Sequence, residues 1–207
     1  MKLAVTANLY YMLYKDHLVQ TGKLNDVGDA ILENVDNSFR RGLEMTVEYR
    51  PVPEIEWSGN MTLSQNKIKN YVEYATDYDD DWNEIQKVTE LGTTDISYSP
   101  SFVASHKIMV HPTNGLSLGV VSKLVGKQYF DNTSNENRSI DRYAVHDFVS
   151  RYLWKMDETS SLDFQFIINN IFDKNYISNA YGGNWYEQGT EYSWKYFFPQ
   201  AGIHYTL

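Results

Sequence analysis

The sequence predicts an all-β chain, an antiparallel transmembrane β-barrel of about eight strands. Three observations predict it. Short segments alternate apolar and polar residues with the period of two that puts successive side chains on opposite faces of a strand. The connections between them alternate long and short, as in a membrane barrel whose turns are short on one side and whose loops are long on the other. Aromatic residues make up 15% of the chain, 17 of them Tyr, a load suited to interfacial girdles, where a ring has an apolar body and a wet tip. No apolar run approaches the roughly 18 residues of a membrane helix, which excludes a helical membrane protein and leaves a strand-built one open.

The elements follow in order. In the first segment the odd positions read Leu3, Val5, Ala7, Leu9, Tyr11 and Leu13, against a mixed even face from Ala4 to Tyr14. The second is cleaner: Phe39, Arg41, Leu43, Met45, Val47 and Tyr49 form a face that is apolar apart from Arg41, opposed by Ser38, Arg40, Gly42, Glu44, Thr46, Glu48 and Arg50. After the turn "PVPE", Ile55, Trp57, Met61 and Leu63 alternate with Glu56, Ser58, Asn60, Thr62 and Ser64. Residues 69–98 lose the pattern and turn acidic, which predicts a long loop. A strand over 102–111, the turn "PTNG" and the alternation of Leu116, Leu118 and Val120 with Ser117 and Gly119 come next. The polar loop "DNTSNENRS" leads to residues 141–154, strand-like but ambiguous in face, since Val149 and Arg151 share one parity and Phe148 and Trp154 the other. After "KMDETSS", Leu162, Phe164, Phe166 and Ile168 oppose Asp163, Gln165 and Asn169. Loop residues to about Trp194 precede a final strand. The long loops at 16–34, 69–98, 130–140 and 173–195 then share one side, and the turns at 50–54, 112–115 and 156–160 the other.

Composition narrows function. With 27 acidic and 18 basic residues the net charge is −9, so nucleic acid is excluded as a partner, because phosphate binding needs a basic face. The chain has no cysteine, which removes disulfides and thiolate metal sites. The start "MKLAVTANLYYMLYKD" lacks a small-residue cleavage site and reads as a strand, so the chain is expected to begin inside a fold.

The acidic stretch "DYDDDWNE" spaces Asp77, Asp79 and Asp81 like a calcium loop, but Trp82 stands where that loop needs Gly and Val88 where it needs Glu. A solvated loop is the better reading, with Tyr78 and Trp82 placed to touch a solute. Among the five histidines, His106 and His111 are five apart and so point to opposite faces of a strand; no metal site and no cofactor is expected. No nucleophile elbow, phosphate loop or Ser-His-Asp grouping appears, so the chain is not expected to be an enzyme. The stretch "NAYGGNWYEQGTEYSW" joins mobile glycines to rings that can stack on a ligand, making Tyr181, Trp185, Tyr186, Tyr192 and Trp194 solute-contact candidates, with an aromatic girdle as the plain alternative. Arg40, Glu44, Glu48 and Arg50 read as water-facing or wall-to-plug charges.

Three separated stretches resemble one family. "INNIFDKNYISNAYGG" followed by "YFFPQAGIHYTL" is similar to the C-terminal end of TonB-dependent outer-membrane receptors, whose penultimate strand ends in an Asn-(Ile/Leu)-Phe-Asp-Lys-x-Tyr pattern. Here Asn170, Phe172, Asp173 and Tyr176 carry that pattern, and Pro199 and Gly202 fall in the closing stretch. "NVDNSFRRGLEMTVEYRP" resembles the family's Arg-Gly-(Leu/Ile/Val)-Glu strand through Arg41, Gly42 and Glu44. "GKQYFDNTSNENRSIDRY" resembles a strand-loop-strand of Bacteroidetes-type members. The resemblance implies that residues 1–207 are the C-terminal portion of a 22-stranded barrel, trimmed at both ends, with signal peptide and plug absent. It further implies the outer membrane of a Gram-negative bacterium, contact with its lipid, uptake of a large scarce solute such as an iron-siderophore or cobalamin-like metal chelate, and TonB as a partner through the missing N-terminal part. A small eight-stranded barrel with a structural or adhesive role and a soluble glycan-binding β-sandwich are the alternatives.

Overall fold

The computed structural model describes residues 2–206, and these form thirteen strands in two sheets that do not close into a barrel, rather than the expected barrel segment of about eight strands. The main, eleven-stranded sheet is built from β1 (Lys2–Leu24), β2 (Ala30–Val52), β3 (Ile55–Tyr78), β4 (Glu84–Asp95), β5 (Phe102–Thr113), β6 (Leu116–Val125), β9 (Tyr143–Lys155), β10 (Ser161–Asn169), β11 (Tyr176–Glu187), β12 (Thr190–Gln200) and β13 (His204–Thr206). Its path runs β1-β2-β3-β5-β6-β9-β10-β13, with β4, β11 and β12 branching from β3. The path ends on β1 at one side and β13 at the other, so among the described residues the sheet is open. A second sheet holds only β7 (Gln128–Tyr129) and β8 (Ser139–Ile140), joined by a short 3₁₀ turn at Glu136–Arg138. Nor is the chain wholly antiparallel, since β11 pairs with the end of β3 in parallel.

The lower half of the main sheet obeys the predicted alternation across strand after strand. Backbone register lines up Leu3, Tyr49, Trp57, Ile108, Val120, Phe148 and Ile168 on one face. The opposite face lines up Thr6, Thr46, Asn60, Ser105 and Lys123. β9 loses its ambiguity here, because its register assigns Phe148, Ser150, Tyr152 and Trp154 to the apolar side and Val149 and Arg151 to the polar side. Polar-face charges satisfy one another: Asn8 donates to Glu44 at 3.1 Å, Arg151 bonds Asp163 at 2.6 Å, and Arg50 pairs with Glu56. Gly42 is required for a steric reason: a Cβ there would run into the Leu63 carbonyl oxygen and stand 2.7 Å from the Tyr10 hydroxyl.

The long loops of the sequence reading are mostly strand. β1 and β2 have 23 residues each and β3 has 24, roughly 75 Å of extended chain, against the 9–11 residues that cross a bilayer. Their upper halves therefore project well past any apolar layer. There the alternation vanishes because neither face meets lipid, which is why residues 16–34 and 69–98 look like loops. The true connections are residues 25–29 and 79–83. Residues 173–195 are likewise mostly strand, and the expected final strand is split: β12 turns back along β11, and only His204–Thr206 pairs with β10.

Among the described residues the two clusters of buried apolar side chains lie in the upper half, where the chain builds a cap. One cluster joins Val19, Val35, Ile68, Tyr71 and Ile96; the other joins Phe130, Ile140 and Ala180 with Tyr98, Ile177 and Phe197 around them. In the predicted loop at 130–140, Phe130, Asp131, Asn132, Arg138 and Ile140 are thus buried, while Glu136 and Asn137 stay exposed. Asn132, fully buried, donates to Gln20 O at 2.8 Å and to Glu33 at 3.1 Å, and accepts from Ser97 N at 2.9 Å. A buried amide must be satisfied in this way or cost stability.

Candidate functional site

The hairpin of β11 and β12 joins the upper end of β3 through β11, and the two-residue period divides it into two faces. Its turn, Gln188–Gly189, has positive φ at both residues (49° and 80°), the type I′ geometry that suits the twist of a hairpin. Register places Tyr181 opposite Tyr196, Gly183 opposite Trp194 and Trp185 opposite Tyr192. Those rings, with Phe198, share one face. Tyr181 stacks on Tyr196 at 5.4 Å, meets Trp194 edge-on at 5.7 Å and Phe198 at 5.6 Å; Trp185 stacks on Tyr192 at 5.7 Å. Gly183 makes this continuous, because the Trp194 indole occupies the space a side chain would take. The face is open: Trp194 is 42% and Tyr196 60% exposed.

The other face anchors the hairpin. Ala180 and Phe197 pack on Phe130 and Ile140, and the Tyr98 hydroxyl donates to Ala180 O. Lys87 lies 3.5 Å from the centre of the Tyr186 ring, a cation–π contact. Arg138 is the hub. Its side chain is 7% exposed and bonds Glu73 at 2.6 Å, Asp131 at 3.0 Å and Glu191 of β12 at 2.5 Å. Burial pulls the Arg138 pKa down, but the bonds to Glu73 and the charge of Asp131 outweigh it, so the guanidinium stays charged. Beside it a cavity of about 250 Å³ is lined by Glu33, Tyr71, Glu73, Asp131, Arg138 and Gly183 among others.

The tip of the hairpin meets the tip of β3. Trp185, Tyr186 and Glu187 run parallel to Thr76, Asp77 and Tyr78, and Gln188 N donates to Tyr78 O at 2.9 Å. This brings the acidic turn to the same mouth. Tyr78 and Trp82 lie 6.2 Å apart there, and the Glu84 carboxylate holds the Tyr78 phenol above its usual pKa. Asp79 accepts from the backbone of Asp81 (2.9 Å) and Asn83 (2.8 Å), and the Asn83 bonds lower its pKa. Its carboxylate therefore serves the turn. Among the described residues no group of three or more His, Asp or Glu converges in a way that could hold a metal.

Of the solute-contact candidates, Tyr181, Trp185, Tyr192 and Trp194 come together on the open face, Tyr78 and Trp82 stand at the adjoining tip, and Tyr186 turns away toward Lys87. Sequence reasoning missed Tyr196 and Phe198, although alternation from Tyr192 through Phe198 is unbroken and could have found them. It also missed Arg138, whose partners lie 65, 7 and 53 positions away, a pattern with no local signal.

The motif residues between β10 and β13 are structural. Asn170, buried with φ 53°, receives Lys174 N at 2.9 Å and donates to Lys174 O and Gly202 O, each at 3.1 Å; Asp173 accepts from Gly202 N at 2.9 Å. They fasten the exit of β10 to the start of β13. Phe172 lies against His146, Tyr176 stacks on Tyr143 at 4.5 Å, and Pro199 sits opposite Ile177.

No curated protein matches the chain. Among solved structures it is similar to the copper transporter OprC (15% identity, TM-score 0.63, covering 99% of this chain and 28% of that one). It is also similar to the ferric-catecholate import receptor Fiu from E. coli (20%, 0.60, 98% and 24%) and to the siderophore receptor PiuA from Acinetobacter baumannii (18%, 0.60, 97% and 25%). The chain thus spans about a quarter of the length of these structures, and at such identities the likeness is one of fold. Sequence comparison matches residues 2–171 to the family described as TonB dependent receptor-like, beta-barrel. With most of its length so matched, the chain belongs to that family, which is placed in the outer membrane of Gram-negative bacteria.

Proposed function

We propose that this chain supplies part of the solute-contacting mouth of an outer-membrane receptor that imports a large scarce solute, an iron-siderophore or cobalamin-like chelate, by TonB-dependent transport. The observation that carries the reading is the open aromatic face of Tyr181, Trp185, Tyr192, Trp194, Tyr196 and Phe198. Tyr192, Trp194, Tyr196 and Phe198 are exposed and Tyr181 and Trp185 partly buried. So much ring surface in water on a hairpin anchored by its other face is an unfavourable use of apolar surface unless something covers it. Rings within stacking distance suit a planar or ring-bearing solute, and Tyr78 and Trp82 extend the surface at the adjoining tip. In this reading residues 1–207 are the C-terminal portion of a Bacteroidetes-type receptor, the plug lies in another part of that protein, and TonB engages there. The apolar face of the lower sheet meets membrane lipid, and the polar face meets water or the plug.

The test is solute binding by the outer-membrane-extracted protein and its Trp194→Ala/Tyr196→Ala variant, followed by tryptophan fluorescence with a ferric catecholate, a ferric hydroxamate and cobalamin. Removing two stacking rings should weaken the bound member of the panel by about tenfold or more. Binding that is unchanged in the variant would remove the aromatic face from the site.

A further inference from the structure

Arg41 is out of place in its row. On the apolar face of β2 it stands between Phe39 and Leu43, opposite Tyr11 of β1 and Gln65 of β3. A cation among lipid-facing residues needs a counter-ion or a route to the polar boundary. Its Nε and Nη2 both donate to one acceptor, Gln65 Oε1, at 2.8 and 2.6 Å, and its Nη1 has no acceptor among the described residues. The guanidinium leans over Phe39 at 5.6 Å from the ring centre. Lys69 reaches the same ring from β3, at 5.8 Å. Neither cation pairs with a carboxylate among the described residues. The acid beside them, Asp95, is engaged by Lys67 at 2.7 Å. Lys15, exposed, follows two residues after Leu13 on the same face.

Two unpaired cations thus converge on one ring at the upper margin of an apolar surface, where their repulsion is poorly screened. We propose that Arg41 and Lys69 bind the phosphate of an outer-leaflet lipid, whose acyl chains run down the apolar face past Leu9, Leu43 and Leu63. A phosphate accepts the free edge of the guanidinium fork and the ammonium together. Gln65 holds the fork in place, and the Tyr11–Phe39 pair, 6.2 Å apart, forms the floor under the headgroup. The lipid is favoured over a free anion because the site is continuous with the apolar face and opens away from the solute-facing interior.

The experiment is native mass spectrometry of the protein extracted from outer membranes into mild detergent and incubated with bis-phosphorylated lipid A or its dephosphorylated counterpart. Wild type should retain the phosphorylated lipid preferentially. Arg41→Gln/Lys69→Gln should lose that preference by roughly 25-fold, about fivefold per charge, and the milder Lys69→Gln alone by about fivefold. Lys107→Gln, on the polar face, should leave it unchanged. Equal retention of the two lipids by wild type, an undiminished preference in the Lys69→Gln protein, or displacement of the lipid by inorganic phosphate at matched concentration would each overturn the proposal.

Discussion

Replacing Arg138 with Met tests how the cap is held together. Met keeps much of the side chain's length and apolar stem and removes only the charge. It leaves Glu73 and Asp131, with side chains 12% and 9% exposed, facing each other without a cation. Breaking a buried pair by removing one partner costs about 3–5 kcal/mol, because the remaining charge stays desolvated. Glu191 is 37% exposed, so water screens it and its pair adds less than about 1 kcal/mol. Every 1.4 kcal/mol is tenfold in an equilibrium, so opening of the cap should become roughly two to four orders of magnitude more frequent. Hydrogen exchange read by mass spectrometry should show this in peptides covering 126–142 and 176–200. Peptides covering 102–125, in the lower sheet, should be unchanged. Adding Glu73→Gln and Asp131→Asn to the same protein should restore most of the protection, since neutral amides no longer repel. Protection in the cap that stays within threefold of wild type, or that falls equally in the lower sheet, would refute the assignment of Arg138 as the hub.

Three further outcomes follow from particular contacts. Tyr71→Phe removes the hydroxyl that donates to Glu33 at 2.8 Å and should cost the cap about 1–2 kcal/mol near neutral pH. Burial first, and then the Glu33 charge, raise the Tyr71 pKa above its ordinary 10.0. The unfolded phenol therefore ionises while the folded one stays neutral, so wild-type stability is intact below about pH 10 and declines above it. The Phe variant should lack that alkaline decline in denaturant titrations at pH 9 and pH 11, and an identical decline would show that Tyr71 is not its source. Gly42→Val forces a side chain into the space of the Tyr10 ring and should lower stability by about 1–3 kcal/mol; pairing it with Tyr10→Ala should recover part of the loss in thermal melts. Asn170→Ala removes both bonds to Lys174 and the bond to Gly202, and should raise exchange in peptides ending at 206 by about tenfold or more, while solute binding is unaffected. Weakened binding without faster exchange would assign Asn170 to the solute instead.

Much of the lower sheet was legible because its rule is local. A strand with one apolar face shows period two in its own residues, and from Phe39 to Tyr49 or Leu162 to Ile168 no knowledge of neighbours is needed. The family motifs were legible for a similar reason, since Asn170, Asp173 and Gly202 close a tight turn within a few dozen residues. The rings of the open hairpin face were half visible: Trp185, Tyr192 and Trp194 stood out as composition, yet Tyr196 and Phe198 were assigned to a closing strand because nothing local distinguishes a strand that turns back along β11 from one that pairs with β10.

The amino-acid sequence by itself thus determined which residues lie on the apolar and polar flanks of each extended segment, because side-chain direction alternates along any strand. Only the tertiary structure decided how far the strands extend, that the sheet is open, and that Phe130, Asn132, Arg138 and Ile140 are buried. Above the apolar layer neither flank meets lipid, so periodicity no longer reports on structure. What then holds the chain is pairing between distant groups, such as Arg138 with Glu73 and Glu191 or Asn132 with Gln20 and Glu33, and such pairing exists only once the fold has brought them together.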